Sequence, residues 1–104
     1  GMVSYSASKA ALNAVVKTMA KEFIRRKIRV NAVLPAGVST PMAEMKGELL
    51  SEVQKVQEGQ EKSDVHGLGM IPPEQVAEQV EFLLSDKSAF KTGEFEVLSA
   101  GTWY

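Results

Sequence analysis

The run Ile28-Arg29-Val30-Asn31-Ala32-Val33-Leu34, closed by Pro35-Ala36-Gly37, constrains this 104-residue chain more than any other stretch. It is short, aliphatic and β-branched, with few polar breaks, which is the pattern of a strand buried in a parallel sheet. Proline cannot donate to a ladder, so Pro35 ends the strand, and Ala36-Gly37 supplies a tight loop at its carboxyl end. Ligands of open α/β sheets bind just beyond strand carboxyl ends. The loop is therefore a candidate ligand contact, and equally a plain strand-to-helix turn. A strand of this kind needs helices over it, and the flanking segments have the right period.

Before the strand, from about Ser6 to Arg26, Leu12, Val16, Met19, Ala20 and Phe23 form one apolar stripe at helical spacing. Ala7, Ala10, Ala11, Ala14 and Val15 form a second, small-residue surface, so the helix is expected to pack on two sides. Arg25-Arg26-Lys27 could be a phosphate patch, but with no basic excess it reads better as a solvated last turn complementing the helix dipole. After the strand, Met42 to Glu58 has Leu49, Leu50, Val53 and Val56 at helical spacing, followed by the polar run Gln57 to Asp64. His66, the single histidine, reads as loop, because one histidine without Cys or a second His is a poor metal ligand. Pro73-Glu74 opens another helix, with proline in the first turn and an acid near the positive dipole end. Val76, Val80, Leu83 and Leu84 are its expected buried stripe, and Ser85-Asp86 closes it. Phe90 to Gly93 makes a turn, and Phe95 to Leu98 alternates as a second strand. The trailing Trp103 and Tyr104 suit an interface anchor or a packed chain end.

Tyr5 and Lys9 stand four apart at the start of the first helix, hence on one face. A nearby ammonium favours the phenolate form, which makes Tyr5 a candidate acid/base near neutral pH. Alone, a Tyr and Lys at this spacing are far more often an ordinary surface-helix pattern than a site. Its company is more specific. Tyr5-Ser6-Ala7-Ser8-Lys9-Ala10-Ala11-Leu12 resembles the Tyr-x-x-x-Lys signature of the short-chain dehydrogenase/reductase family. Val30 to Met42, with Pro35, Gly37 and Thr40-Pro41-Met42, resembles that family's strand and proline-glycine loop. Pro73-Glu74-Gln75-Val76-Ala77, Phe82-Leu83-Leu84-Ser85-Asp86 and Thr92-Gly93 are similar to three further landmarks in the family's order.

The resemblance implies an α/β fold: the C-terminal half of a Rossmann-type doubly wound parallel sheet, truncated to two parallel strands and about three helices within residues 1–104. It implies an oxidoreductase acting on an alcohol or carbonyl substrate with NAD or NADP. Tyr5 would be the acid/base and Lys9 its partner, also bonding the nicotinamide ribose. Pro35, Gly37, the Val38 backbone and the Thr40 hydroxyl would lie where the family holds the nicotinamide carboxamide, and Met42 to Glu58 would be a substrate lid. Two departures stand out: Ala36 follows the proline where glycine is usual, and Ser99-Ala100-Gly101 replaces the commoner acid and two glycines.

No G-x-x-x-G-x-G or G-x-G-x-x-G lies between a strand and a helix, so no pyrophosphate cradle is expected. The family's catalytic serine precedes its tyrosine, upstream of Met2, and Gly1 looks like a scar of tag removal. Binding of cofactor and turnover by this chain alone are therefore not expected, and the alternative is a non-catalytic fragment or interaction module. A net charge of −1, from 12 basic and 13 acidic residues, argues against a nucleic-acid footprint, and the lack of cysteine excludes disulfides and thiolate metal sites. No apolar run approaches the roughly 20 residues of a membrane span, so a soluble, cytoplasmic protein is expected. A lone strand edge and a helix with two apolar surfaces point to a homo-oligomer, through the Ala7–Phe23 helix, the exposed strand edge, or both.

Overall fold

Helix α1 runs from Val3 to Phe23 and tightens into a 3-10 turn, Ile24–Arg26, in the computed structural model, which describes residues 2–42 and 68–101. It starts earlier than the Ser6 suggested by the apolar pattern. The Ser6 amide donates to the Met2 carbonyl at 2.9 Å, which puts the Tyr5 segment inside the helix. The far end closes as a Schellman motif: the Lys27 amide donates to the Ile24 carbonyl (2.9 Å) and the Ile28 amide to the Phe23 carbonyl (3.3 Å). Lys27 sits at the left-handed position, φ 58° and ψ 33°, at a cost of roughly 1 kcal/mol for a residue with a Cβ. It is the pivot of the turn as well as a charge beside the dipole.

Strand β1 is Ala32–Pro35, shorter than the expected Ile28–Leu34 and including the proline as its last residue. The reason is where the preceding backbone spends its hydrogen bonds. The Ile28 amide closes α1, and the Val30 amide goes to Thr92 Oγ1 (3.1 Å). The Val30 carbonyl accepts from Gly93 (2.7 Å). Asn31 clasps the same loop with its side chain, through the Lys91 carbonyl (2.9 Å) and the Glu94 amide (3.0 Å). Residues 28–31 are thus stitched to a loop rather than laddered to a strand. Strand β2 is Phe95–Leu98, as expected, and it pairs with β1 in a two-stranded parallel sheet. The pairing is bracketed by Ala32 amide to Glu94 carbonyl (3.0 Å) and Ala36 amide to Leu98 carbonyl (2.9 Å).

Helix α2 is Pro73–Leu84. Ser85, extended at φ −88° and ψ 165°, stops it and caps the 3-10 turn Asp86–Ser88 by accepting the Lys87 amide (3.3 Å). Its expected stripe is only partly covered. Leu83 is buried and Val76 half-buried, whereas Val80 is 41% and Leu84 80% exposed. On α1, Val16 and Ala20 are buried and Met19 and Phe23 half-buried, while Leu12 and the whole small-residue surface face solvent. The periodicity marked apolar faces correctly, but two strands are too narrow a layer to cover them all.

The described residues divide into two compact units. The first comprises residues 2–34 and 79–96, the second residues 35–42, 68–78 and 97–101. The first is pinned by Arg29, by Gly93 against α1, and by Lys17, which bonds the Gly93 carbonyl and lies over the Phe95 ring (4.7 Å to the centroid). Lys91 pairs with Glu96 and lies over the Phe82 ring. The second is organised around buried Ile71. Among the described residues no helix is long and apolar enough to cross a membrane.

Candidate active site

Tyr5 and Lys9 are brought together by α1 alone, since their spacing is one helical turn. The Lys9 ammonium lies 5.6 Å from the centroid of the Tyr5 ring, a cation on the aromatic face. Tyr5 is 56% exposed. The intervening Ser8 hydroxyl donates to the Tyr5 carbonyl at 2.7 Å, tying the first turn of the site to the next.

The loop after β1 belongs to the second unit. Val38 forms a parallel bridge with Ile71. The Ile71 amide donates to the Gly37 carbonyl, and the Ser39 amide donates to the Ile71 carbonyl, both at 2.9 Å. In a parallel bridge the bonds run through the residues on either side of the bridged one. The amide and carbonyl of Val38 itself therefore face away from Ile71. One donor beside one acceptor matches a primary carboxamide, which offers the complementary pair. Thr40, half-buried, follows two residues on. The main chain here is thus compatible with a carboxamide of the kind a nicotinamide carries.

The two departures have different consequences. Ala36 is absorbed, because neither it nor Gly37 has a positive φ, and its amide serves the ladder to Leu98. Ala100 is not: it sits at φ 51°, next to Gly101 at φ 83°, where glycine would carry no strain. Its carbonyl still accepts the Leu68 amide at 2.8 Å. Ile71 is a residue the local sequence does not mark, since its partner Val38 is distant in the chain and the contact is main-chain. The suggested lid, His66 and the terminal Trp103-Tyr104 lie outside the described residues. Among the described residues no group of three His, Asp or Glu side chains converges on a metal site.

The chain matches the family described as enoyl-(acyl carrier protein) reductase over residues 1–102. It belongs to the short-chain dehydrogenase/reductase family. It is 37% identical to the 3-oxoacyl-[acyl-carrier-protein] reductase FabG of Thermotoga maritima, over 97% of this chain and 38% of that protein. An oxidoreductase of the short-chain dehydrogenase/reductase family from Burkholderia thailandensis superposes with a TM-score of 0.75 at 31% identity, covering 97% of this chain and 38% of that one. A 4-hydroxyisoleucine dehydrogenase complexed with NADH superposes at 0.71 and 30% identity, covering 93% and 38%. The chain thus spans well under half the length of these relatives. The Rossmann-like α/β reading, with two parallel strands, holds over the part of the fold that this chain spans.

Proposed function

We propose that this chain carries the proton-transfer half of a nicotinamide-dependent oxidoreductase site that interconverts an alcohol and a carbonyl compound. The observation that carries the reading is the Tyr5–Lys9 pair, an exposed phenol with an ammonium on its ring face. In the reductive direction the Tyr5 hydroxyl gives its proton to the substrate's carbonyl oxygen, and in the oxidative direction it takes the alcohol's proton. Lys9 sets a positive charge beside the negative charge the phenol acquires on giving up that proton. The hydride would come from the reduced nicotinamide of NADH or NADPH in the reductive direction and would pass to the oxidised form in the other. Val38 would hold its carboxamide by main-chain amide and carbonyl, with Thr40 beside it. Support comes from relatives whose names are reductases and dehydrogenases, one of them solved with NADH. A cytoplasmic setting goes with this reading.

The chain has no glycine-rich phosphate cradle, so alone it binds cofactor weakly or not at all and turns over little or nothing. Calorimetric titration of the 104-residue chain with NADH and with NADPH is expected to give no response up to about millimolar nucleotide, a Kd worth only about 4 kcal/mol. Binding tighter than that, abolished by Lys9→Ala, would instead place a working site on the chain alone. Tight binding indifferent to Lys9→Ala would sink the assignment of Lys9. A non-catalytic interaction module is the second reading, favoured by the short span of the relatives that the chain covers.

The proposal extends to self-association through the Ala7–Phe23 part of α1, where Leu12 and Val15 lie exposed beside small alanines. Light scattering behind a sizing column is expected to give at least twice the monomer mass, and Leu12→Asp is expected to restore the monomer. A wild-type monomer at micromolar concentration would end this proposal.

A further inference from the structure

We infer that the second unit holds a pocket for a short, neutral aliphatic chain, the apolar part of an alcohol or carbonyl ligand. The inference deepens the functional reading above and rests on it in one respect: the chain belongs to that reaction's substrate. The pocket measures about 220 Å³, and its apolar wall is formed by Leu68, Met70, Ile71, Pro72 and Leu98. All of its lining lies in the second unit. An apolar cavity of about 150 Å³ holds benzene, so this one has room for a chain of roughly six to eight carbons.

Its position is that of a ligand site. Leu98 ends β2, and ligands of open α/β sheets bind just beyond strand carboxyl ends. Ile71 joins the pocket to the loop after β1, because it is buried in the wall while its main chain bridges Val38. An aliphatic group held there lies beside the main chain proposed to take the carboxamide. The same wall carries backbone strain. Ala100 lines the pocket at φ 51°, a left-handed conformation that its methyl group disfavours, and its carbonyl accepts the Leu68 amide. Strain of this kind persists where the surroundings over-determine it, and it clusters at ligand sites. Glycine at this position would relieve the strain but take a methyl group out of the apolar wall.

The lining also selects against charge. Among the described residues it contains no ionisable side chain, so a carboxylate would lose its hydration with no cation to meet it. Glu74, in the first turn of α2 beside the lining residue Gln75, adds like-charge repulsion. Gln75 is the polar side chain of the wall. It is neutral and exposed, so its amide stays hydrated while the apolar residues take the chain.

The test titrates n-hexanol, without nucleotide, into the full 104-residue chain carrying isotope-labelled isoleucine and methionine methyl groups. The Ile71 and Met70 methyl resonances, assigned by their loss in Ile71→Val and Met70→Leu, are expected to shift saturably with a millimolar Kd or tighter. Those of Ile24 and Met19, in the first unit, are expected to stay in place. Hexanoate, a chain of the same length with a charge, is expected to bind about tenfold more weakly or worse. Met70→Lys puts a charge in the wall at a position already 41% exposed. It is expected to weaken hexanol about tenfold or more with an unchanged circular dichroism spectrum. Phe90→Lys, at a fully exposed position outside the pocket, is expected to leave binding unchanged. The absence of a saturable shift overturns the inference. So does hexanoate binding as tightly as hexanol, or hexanol binding indifferent to Met70→Lys. Shifts that follow protein concentration without hexanol would put a second copy in the pocket and equally overturn it. Binding is read without cofactor or turnover, so a negative result removes the substrate class and leaves the Tyr5–Lys9 pair standing. Nucleotide binding indifferent to Lys9→Ala would count against that pair and leave the hexanol result as it is.

Discussion

Arg29→Met is expected to lower the stability of the first unit by about 3–5 kcal/mol, enough to depress the melting temperature by roughly 15–30 °C in a domain of this size. The guanidinium is the hub where three separate segments end. It donates to the Leu83 carbonyl at 2.8 Å and the Ser85 carbonyl at 3.5 Å, at the end of α2, and to the Lys91 carbonyl at 3.2 Å. It also donates to the Ser88 carbonyl (2.9 Å) and hydroxyl (3.2 Å). Helices leave their last carbonyls without intrahelical donors, and here Arg29 and Ser88 supply them. Ser88 is 1% exposed, and its hydroxyl lies within reach of the Phe82 and Leu83 carbonyls, each at 2.9 Å. Methionine keeps the aliphatic stem and removes every donor, leaving part-buried oxygens unsatisfied. Bonds to a charged donor are each worth roughly 1.5–3 kcal/mol, and they do not add fully. Against a total of about 5–15 kcal/mol for an ordinary domain, the loss is severe. Arg29→Lys should recover less than half, because one ammonium cannot reach oxygens on several sides at once. Urea denaturation followed by circular dichroism reads the difference. A loss under 1 kcal/mol for Arg29→Met would show that the hub is incidental.

What could be read from the sequence divides along the range of the contacts. Tyr5 and Lys9 meet because a helix brings i and i+4 together, so the pair was legible before any tertiary structure. Pro35 and Gly37 were legible as the end of a strand, and Thr92-Gly93 as a turn, because backbone chemistry is local. Arg29 was read only as one residue of a strand. Its acceptors lie 54 to 62 positions away, and no periodicity encodes a guanidinium reaching across that span. Ile71 escaped for the same reason, since its contacts with Gly37 and Ser39 are main-chain and would suit almost any residue but proline. Leu84 fails differently. Helical spacing places it on the apolar stripe, yet it is exposed, because periodicity reports which side a residue faces and not whether anything lies there. The charge reading of Lys27 missed its left-handed backbone, since lysine gives no sign of a turn that glycine usually marks.

Gly93→Ala is expected to cost about 2–3 kcal/mol, a large effect for one methyl group, and the cost has two separable parts. Gly93 sits at φ 68°, where a residue with a Cβ loses roughly 1–2 kcal/mol. It is also buried against α1, and a Cβ built there would lie 3.3 Å from the Cβ of Ala20, itself buried. Neither atom can yield easily. The Gly93 amide is held by the Val30 carbonyl and the Gly93 carbonyl by Lys17, while Ala20 is fixed in the middle of a helix. Overpacking of this kind costs about 1–3 kcal/mol. The crowding part vanishes if Ala20 is also made glycine, whereas the backbone part remains. Ala20→Gly alone costs about 1 kcal/mol in helix propensity. The double variant should therefore be more stable than the sum of the single losses predicts, by about 1 kcal/mol of coupling. Strict additivity in chemical denaturation would mean that the close approach of α1 to this turn is not what requires glycine, leaving the left-handed backbone as the whole reason.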